Sequence, residues 1–245
     1  MIKILASKSI VGSLVRYLFY ALLAGGMVLC VTWEAQHVAF ANRFGENSLL
    51  EYLQVVILLF AALSAYLAGY FNASRSTLSQ MLVAAACIAC VREFDFALDR
   101  YLFDGAWQLL VCLILLIAGL MAWQHRDEFK ETLLDFLQRP SFGLMVGGFI
   151  TVFVFSRLLG RQVLWRAIMG DNYMRLVKTA VEESTELLGY TLIFIGTLEF
   201  LREAIFVGET AKATSTHAPV AAQQGERRLT PIHHPRRRRG ETMFH

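Results

Sequence analysis

Charge is scarce in this chain: charged residues make up 18% of the sequence and hydrophobic residues 56%, where soluble domains carry about one quarter charged residues. Mean hydropathy is +0.48. Proline is rarer still, with four residues in 245. All four (Pro140, Pro219, Pro231, Pro235) fall outside the apolar stretches, so no spanning helix is expected to break on a missing backbone N–H. Cysteine is limited to four residues, Cys30, Cys87, Cys90 and Cys112. Cys87 and Cys90 form a C-x-x-C pattern within an apolar run, where a thiolate is poorly solvated, so all four are read as small packing residues and not as a redox pair. Histidine is short where zinc chemistry would need it. His217, His233, His234 and His245 lie in the tail and His125 on the far side from His37, which disfavours a zinc hydrolase. No phosphate-binding glycine loop, nucleophile elbow or His-Glu-x-x-His motif occurs.

What the chain has is long apolar blocks. A bilayer core needs about 20 apolar helical residues, and six segments qualify: 13–33, 49–71, 79–98, 106–123, 142–160 and 179–201. The third and sixth are the least apolar. The expected fold is all-α, a polytopic transmembrane bundle of six spans covering 1–207, followed by a disordered basic tail over 208–245. The first block has basic residues before it and Ala39-Phe40-Ala41 after it, which resembles a signal-peptidase site. The long N-terminal region and the distance of Ala-x-Ala from the apolar run favour a retained helix; cleavage would leave five spans.

Lys and Arg in the N-terminus, the 124–141 loop and the tail put those segments on the cytoplasmic side of the membrane. The 161–178 connection, with Arg161, Arg166, Arg175 and Lys178, then lies outside. Val163, Leu164, Ala167 and Ile168 alternate there with Arg161, Arg166 and Asp171, as in an amphipathic helix lying in the interface. The Arg236–Arg239 run allows contact with anionic lipid, although a topology signal and solubilising role is the simpler reading. No nucleic-acid partner is expected, since that run would be the sole feature for one. No internal repeat or pair of interrupted helices points to an inverted-repeat transporter.

Ionisable residues inside spans cost at least ~2.5 kcal/mol each and cluster where function or packing needs them. Glu46, Glu51 and Gln54 open the second span. Arg92, Glu93, Asp95, Asp99 and Arg100 close the third, Arg157 and Arg161 close the fifth, and Glu182, Glu183 and Glu186 open the sixth. Tracing six alternating spans brings these ends to one side, the extracytoplasmic one. Arg92, Asp95 and Asp99 share a face at i, i+3 and i+7 of a continuous helix, as do Glu182 and Glu186 at i and i+4. The candidate pocket is therefore Glu51, Arg92, Glu93, Asp95, Arg157, Glu182, Glu183 and Glu186. Its carboxylates need a counter-charge: the arginines, a hard cation, a proton or water. Interfacial ion pairs that merely hold helices in register are the competing account of the same residues. Gly143, Gly147 and Gly148 on the fifth span, and Gly189 and Gly196 on the sixth, mark close helix contacts, with homodimerisation as the sharper alternative.

The stretches Val91-Arg-Glu-Phe-Asp-Phe-Ala-Leu-Asp99, Phe155-Ser-Arg-Leu-Leu-Gly-Arg161 and Val181-Glu-Glu-Ser-Thr-Glu-Leu-Leu-Gly-Tyr190 resemble a group of uncharacterised bacterial multi-pass inner-membrane proteins, over about 46–203. The resemblance implies a bacterial inner-membrane location and no activity. Three functions stay open: a carrier-like protein whose pocket takes a cation, proton or polar headgroup; an intramembrane enzyme on a lipid-linked substrate, with Glu183 or Glu186 as general base and Arg92 or Arg157 holding a phosphate; and a structural or assembly subunit of a membrane complex.

Overall fold

The computed structural model of the chain describes residues 2–40, 43–45 and 48–216, with side chains over 10–40, 43–45 and 48–206. Glu46 and the Arg236–Arg239 run lie outside the described residues. The chain divides into two units, Met1–Gly208 and Glu209–His245. The second is described only as far as Thr216, which ends a helix, so helical backbone enters the segment expected to be tail.

Among the described residues the architecture is all-α, and six helices are long and apolar enough to cross a membrane: Ile10–His37, Leu49–Phe71, Ala73–Glu93, Ala106–Gln124, Pro140–Leu159 and Arg175–Phe206. In chain order the helices are α1 (Ile2–His37), α2 (Leu49–Phe71), α3 (Ser76–Glu93), α4 (Asp95–Tyr101), α5 (Ala106–Gln124), α6 (Arg126–Leu137), α7 (Pro140–Ile150), α8 (Arg157–Leu159), α9 (Gln162–Met169) and α10 (Arg175–Thr216). Helical structure satisfies the backbone N–H and C=O groups internally, which a hydrocarbon surrounding demands.

Two spans depart from the expectation. The third begins earlier than position 79, at Ala73. Arg75 can lie inside it because its guanidinium meets Asp135 at 3.0 Å. The same helix stops at Glu93: Phe94 leaves helical geometry (φ −102°, ψ 13°) and α4 starts at Asp95. Asp95 and Asp99 therefore do not continue the face that carries Arg92. The fifth span is not a regular α-helix either, since Thr151–Ser156 is a π-helical stretch between α7 and α8, a geometry common at functional sites.

Helices α7 and α10 meet where glycine removes the side chain. A Cβ on Gly189 would sit 3.0 Å from the Gly148 carbonyl oxygen and 2.5 Å from a Val152 methyl, and one on Gly196 would strike Met145 at 2.6 Å. The expected close contacts on Gly148, Gly189 and Gly196 thus lie within the chain, whereas Gly143 and Gly147 face open space. One apolar cluster (Leu50, Ile57, Leu58, Val152, Leu187, Tyr190) joins α2, the π-helical stretch and α10, with Met27, Val31 and Ala35 of α1 against it. A second cluster, at the opposite end of α10, packs Phe136, Met145, Phe200 and Ala204 with Phe129 and Leu133. The i, i+4, i+7 spacing of Phe129, Leu133 and Phe136 turns one face of α6 onto the spans.

Candidate functional site

At the end of α10 nearest Arg175, three helices (α3, α8 and α10) place ionisable groups together, and the π-helical stretch adds a hydroxyl. Arg92 sits one residue before the end of α3, and its Nη2 is 2.7 Å from Glu93, 2.8 Å from Glu186 and 3.0 Å from the Tyr190 hydroxyl. Tyr190 in turn donates to Glu93 at 2.6 Å. Ser156, wholly buried at the end of the π-helical stretch, donates to the other Glu186 oxygen at 2.7 Å. Arg157 reaches Glu182 at 3.6 Å and Glu186 at 3.7 Å from a half-exposed position, and Lys178 closes on Glu182 at 2.7 Å. A Cβ on Gly160 would lie 2.5 Å from the Glu182 carboxylate, so glycine leaves room for that group beside α8.

Charge counting separates Glu183 from this clasp. Glu93, Glu182 and Glu186 each stand within 4 Å of a basic nitrogen. Among the described residues Glu183 has no such partner: its carboxylate accepts from Gln54 Nε2 at 3.1 Å, and its backbone carbonyl from the same nitrogen at 3.3 Å. Gln54 is 0% exposed, and its Oε1 meets no donor among the described protein atoms; Arg92 Nε meets no acceptor. A buried amide oxygen on the same carboxamide as the nitrogen that serves an uncompensated carboxylate is suited to a proton donor or a cation. Beside it, Glu51, Glu93 and Asp95 line a cleft of about 120 Å³ together with Tyr52, Val55 and Phe94.

The sequence-derived residues divide accordingly. Arg92, Glu93, Arg157, Glu182 and Glu186 come together with Tyr190 and Ser156, hydroxyls that no charge pattern in the sequence marks. Glu183 joins Gln54 next to them. Asp95 is solvent-exposed and accepts from the Phe96 N–H at 2.6 Å, as a first-turn cap, while Asp99 accepts from Gly105 N at 3.0 Å in the loop that follows. His37 stacks on Trp33 at 5.2 Å and bonds the Trp33 carbonyl, serving its own helix. Among the described residues no three His, Cys, Asp or Glu side chains are placed to hold a metal ion. Cys87 and Cys90 are free thiols.

Charged residues elsewhere in the spans obey the same rule. Glu34, 0% exposed, accepts from Phe44 N at 2.8 Å and Leu50 N at 3.2 Å, while Ser48 caps Glu51 N. A carboxylate at the start of α2 compensates its orphan N–H groups and holds Phe44, a non-glycine residue at φ 52°. At the far end of α10, buried Glu199 binds Arg16 at 2.8 Å, Arg202 at 2.7 Å and Tyr20 at 3.0 Å. One turn on, Glu203 accepts from wholly buried Ser141 at 3.2 Å, with Arg75 at 3.7 Å and Arg139 at 3.9 Å. The signal was available: Glu34, Glu199 and Glu203 are carboxylates inside or bordering apolar runs.

Asp135, on α6 between the spans, hydrogen-bonds Arg139 at 2.9 Å and Arg75 at 3.0 Å. The Arg139 hydrogen bond, with the positive charges of Arg139 and Arg75, holds its carboxyl below the usual range. Compared with family models, with curated proteins and with solved structures, the chain matches none.

Proposed function

We propose that this multi-span membrane protein binds or passes a proton or small cation at Glu183, with Gln54 as the neighbouring ligand and the Arg92–Glu93–Glu186–Tyr190 clasp as its rigid wall. The observation that carries the reading is the pairing of Glu93, Glu182 and Glu186 with basic groups, while Glu183 beside them meets the Gln54 amide. An ionised carboxylate near hydrocarbon is costly without a counter-charge. The absence of a preformed group of metal ligands among the described residues favours a proton or a weakly held monovalent ion over a tightly bound divalent one.

The excess of Lys and Arg in the N-terminus, the 124–141 loop and the tail supports an inner-membrane orientation with both termini cytoplasmic and Glu183 on the extracytoplasmic side. Titration of the purified protein against acid, then against sodium, potassium and calcium chlorides, tests the reading in Glu183→Gln and wild type side by side. Wild type should take up a further proton, or show a cation-dependent rise in melting temperature that the variant lacks. Matching curves under all conditions would remove Glu183 as the site.

The half-exposed position of Arg157 beside Glu182 and Glu186 supports a second reading, an enzyme acting on a lipid-linked substrate in which Arg157 holds a phosphate. Comparing lipid extracts from cells lacking the protein with those from complemented cells discriminates the two, because an enzyme leaves an altered lipid.

A further inference from the structure

Helix α9 lies between the end of the fifth span, Leu159, and the start of the sixth, Arg175, so its depth is that of the bundle end. At 100° per residue, Val163, Ala167, Leu164 and Ile168 occupy one arc of about 140°, with Gln162 and Arg166 on the opposite side. That apolar arc turns away from the protein: Val163 is 73% exposed and Ile168 64%, and Leu164 and Ala167 are exposed as well. Trp165, half-buried, fixes the helix by donating its indole N–H to the Leu159 carbonyl. A soluble surface would not carry four adjacent apolar side chains on an otherwise polar connector.

The charges around this arc are basic and lack acidic partners. Among the described residues Arg161, Arg166 and Arg175 are exposed and none lies within 4 Å of a carboxylate; Arg166 leans over the Tyr173 ring at 5.6 Å. Asp171 is the one acidic side chain in the segment from 161 to 175. A bilayer interface supplies what both features need: acyl chains for the apolar arc and phosphate oxygens for the arginines.

We propose that α9 is an interfacial anchor that embeds Val163, Leu164, Ala167 and Ile168 in the leaflet at this end of the bundle and collects anionic phospholipid headgroups on Arg161, Arg166 and Arg175. The anchor stands independently of the Glu183 reading, since it rests on a different element and a different ligand. It also accounts for the basic residues of the 161–175 connection: they face lipid phosphate.

The test uses the full chain with its four cysteines replaced by alanine and Ile168→Cys labelled with bimane. The protein is reconstituted in phosphatidylcholine vesicles with and without phosphatidylglycerol, either lipid carrying brominated acyl chains. Brominated lipid should quench the label while aqueous iodide does not, and brominated phosphatidylglycerol should quench more at equal mole fraction. Arg161→Gln, Arg166→Gln and Arg175→Gln should each lower that preference by up to about fivefold. Val163→Cys provides the same readout on a second site of the arc if the first labelled variant does not fold. Strong iodide quenching would show the helix in water; no quenching by either agent would show it covered by protein, a second copy included. Equal quenching by the two lipids would remove the anionic preference. Each of these results overturns the proposal.

Discussion

Replacing Arg92 by alanine should be among the most damaging single changes in the bundle, and its cost follows from what the guanidinium touches. One nitrogen of Arg92 serves Glu93 at 2.7 Å, Glu186 at 2.8 Å and the Tyr190 hydroxyl at 3.0 Å, and both carboxylates are almost fully shielded from solvent. Removing the cation leaves two acidic groups facing each other with only Ser156, Tyr190 and the more distant Arg157 to compensate. Deleting one partner of a buried ion pair typically costs about 3–5 kcal/mol. Arg92 keeps some solvent access, which places the expectation near 3 kcal/mol.

Equilibrium unfolding in mixed micelles, with the SDS mole fraction raised stepwise, measures this directly. A double-mutant cycle isolates the contact: in the Arg92→Ala background, Glu186→Gln should cost at least about 1 kcal/mol less than in wild type, because the charge it neutralises has already lost its partner. A loss under 1 kcal/mol for Arg92→Ala, or strictly additive effects for the pair, would mean that these groups are solvated and that the clasp does not hold α3 to α10.

Glu34→Ala should destabilise the protein by about 1.5–3 kcal/mol, since it orphans the Phe44 and Leu50 N–H groups at once; hydrogen exchange at the start of α2 should accelerate, and an unchanged rate would refute the capping role. Gly189→Ala should cost about 1–3 kcal/mol by forcing α10 from Val152 and the Gly148 carbonyl, whereas Gly143→Ala, with open space around it, should leave SDS resistance unchanged. Asp135→Asn should cost about 1–2 kcal/mol at neutral pH: Asp135 is half-exposed, but buried Arg75 would keep only Glu203, at 3.7 Å, as its counter-charge. The wild-type advantage is fully present above the unfolded Asp value of about 4, since the folded carboxyl is held lower. It fades as pH falls through the folded value, and melting curves of the two proteins should converge in strong acid.

The apolar blocks made the spans legible because a helix long enough to cross hydrocarbon must be apolar over most of its length, whatever it packs against. The boundaries were less so. Arg75 reads as a charge that should end a span, yet Asp135 lies 60 positions away in sequence and neutralises it inside the fold. Asp95 and Asp99 fit a helical face only if α3 continues, and the break at Phe94 has neither proline nor glycine to announce it. Convergence of Arg92, Arg157, Glu182 and Glu186 could be anticipated from alternating span direction. Tyr190 and Ser156 could not, because a hydroxyl in an apolar run is ordinary until a carboxylate faces it.

By itself, then, the sequence determined that the chain is helical, spans a membrane repeatedly and concentrates charge at span ends, since burial of backbone and apolar surface depends on local composition. Tertiary structure alone decided which charges cancel. Pairing is set by distances of a few ångströms between helices, and those distances left Glu183 with Gln54 in place of an arginine.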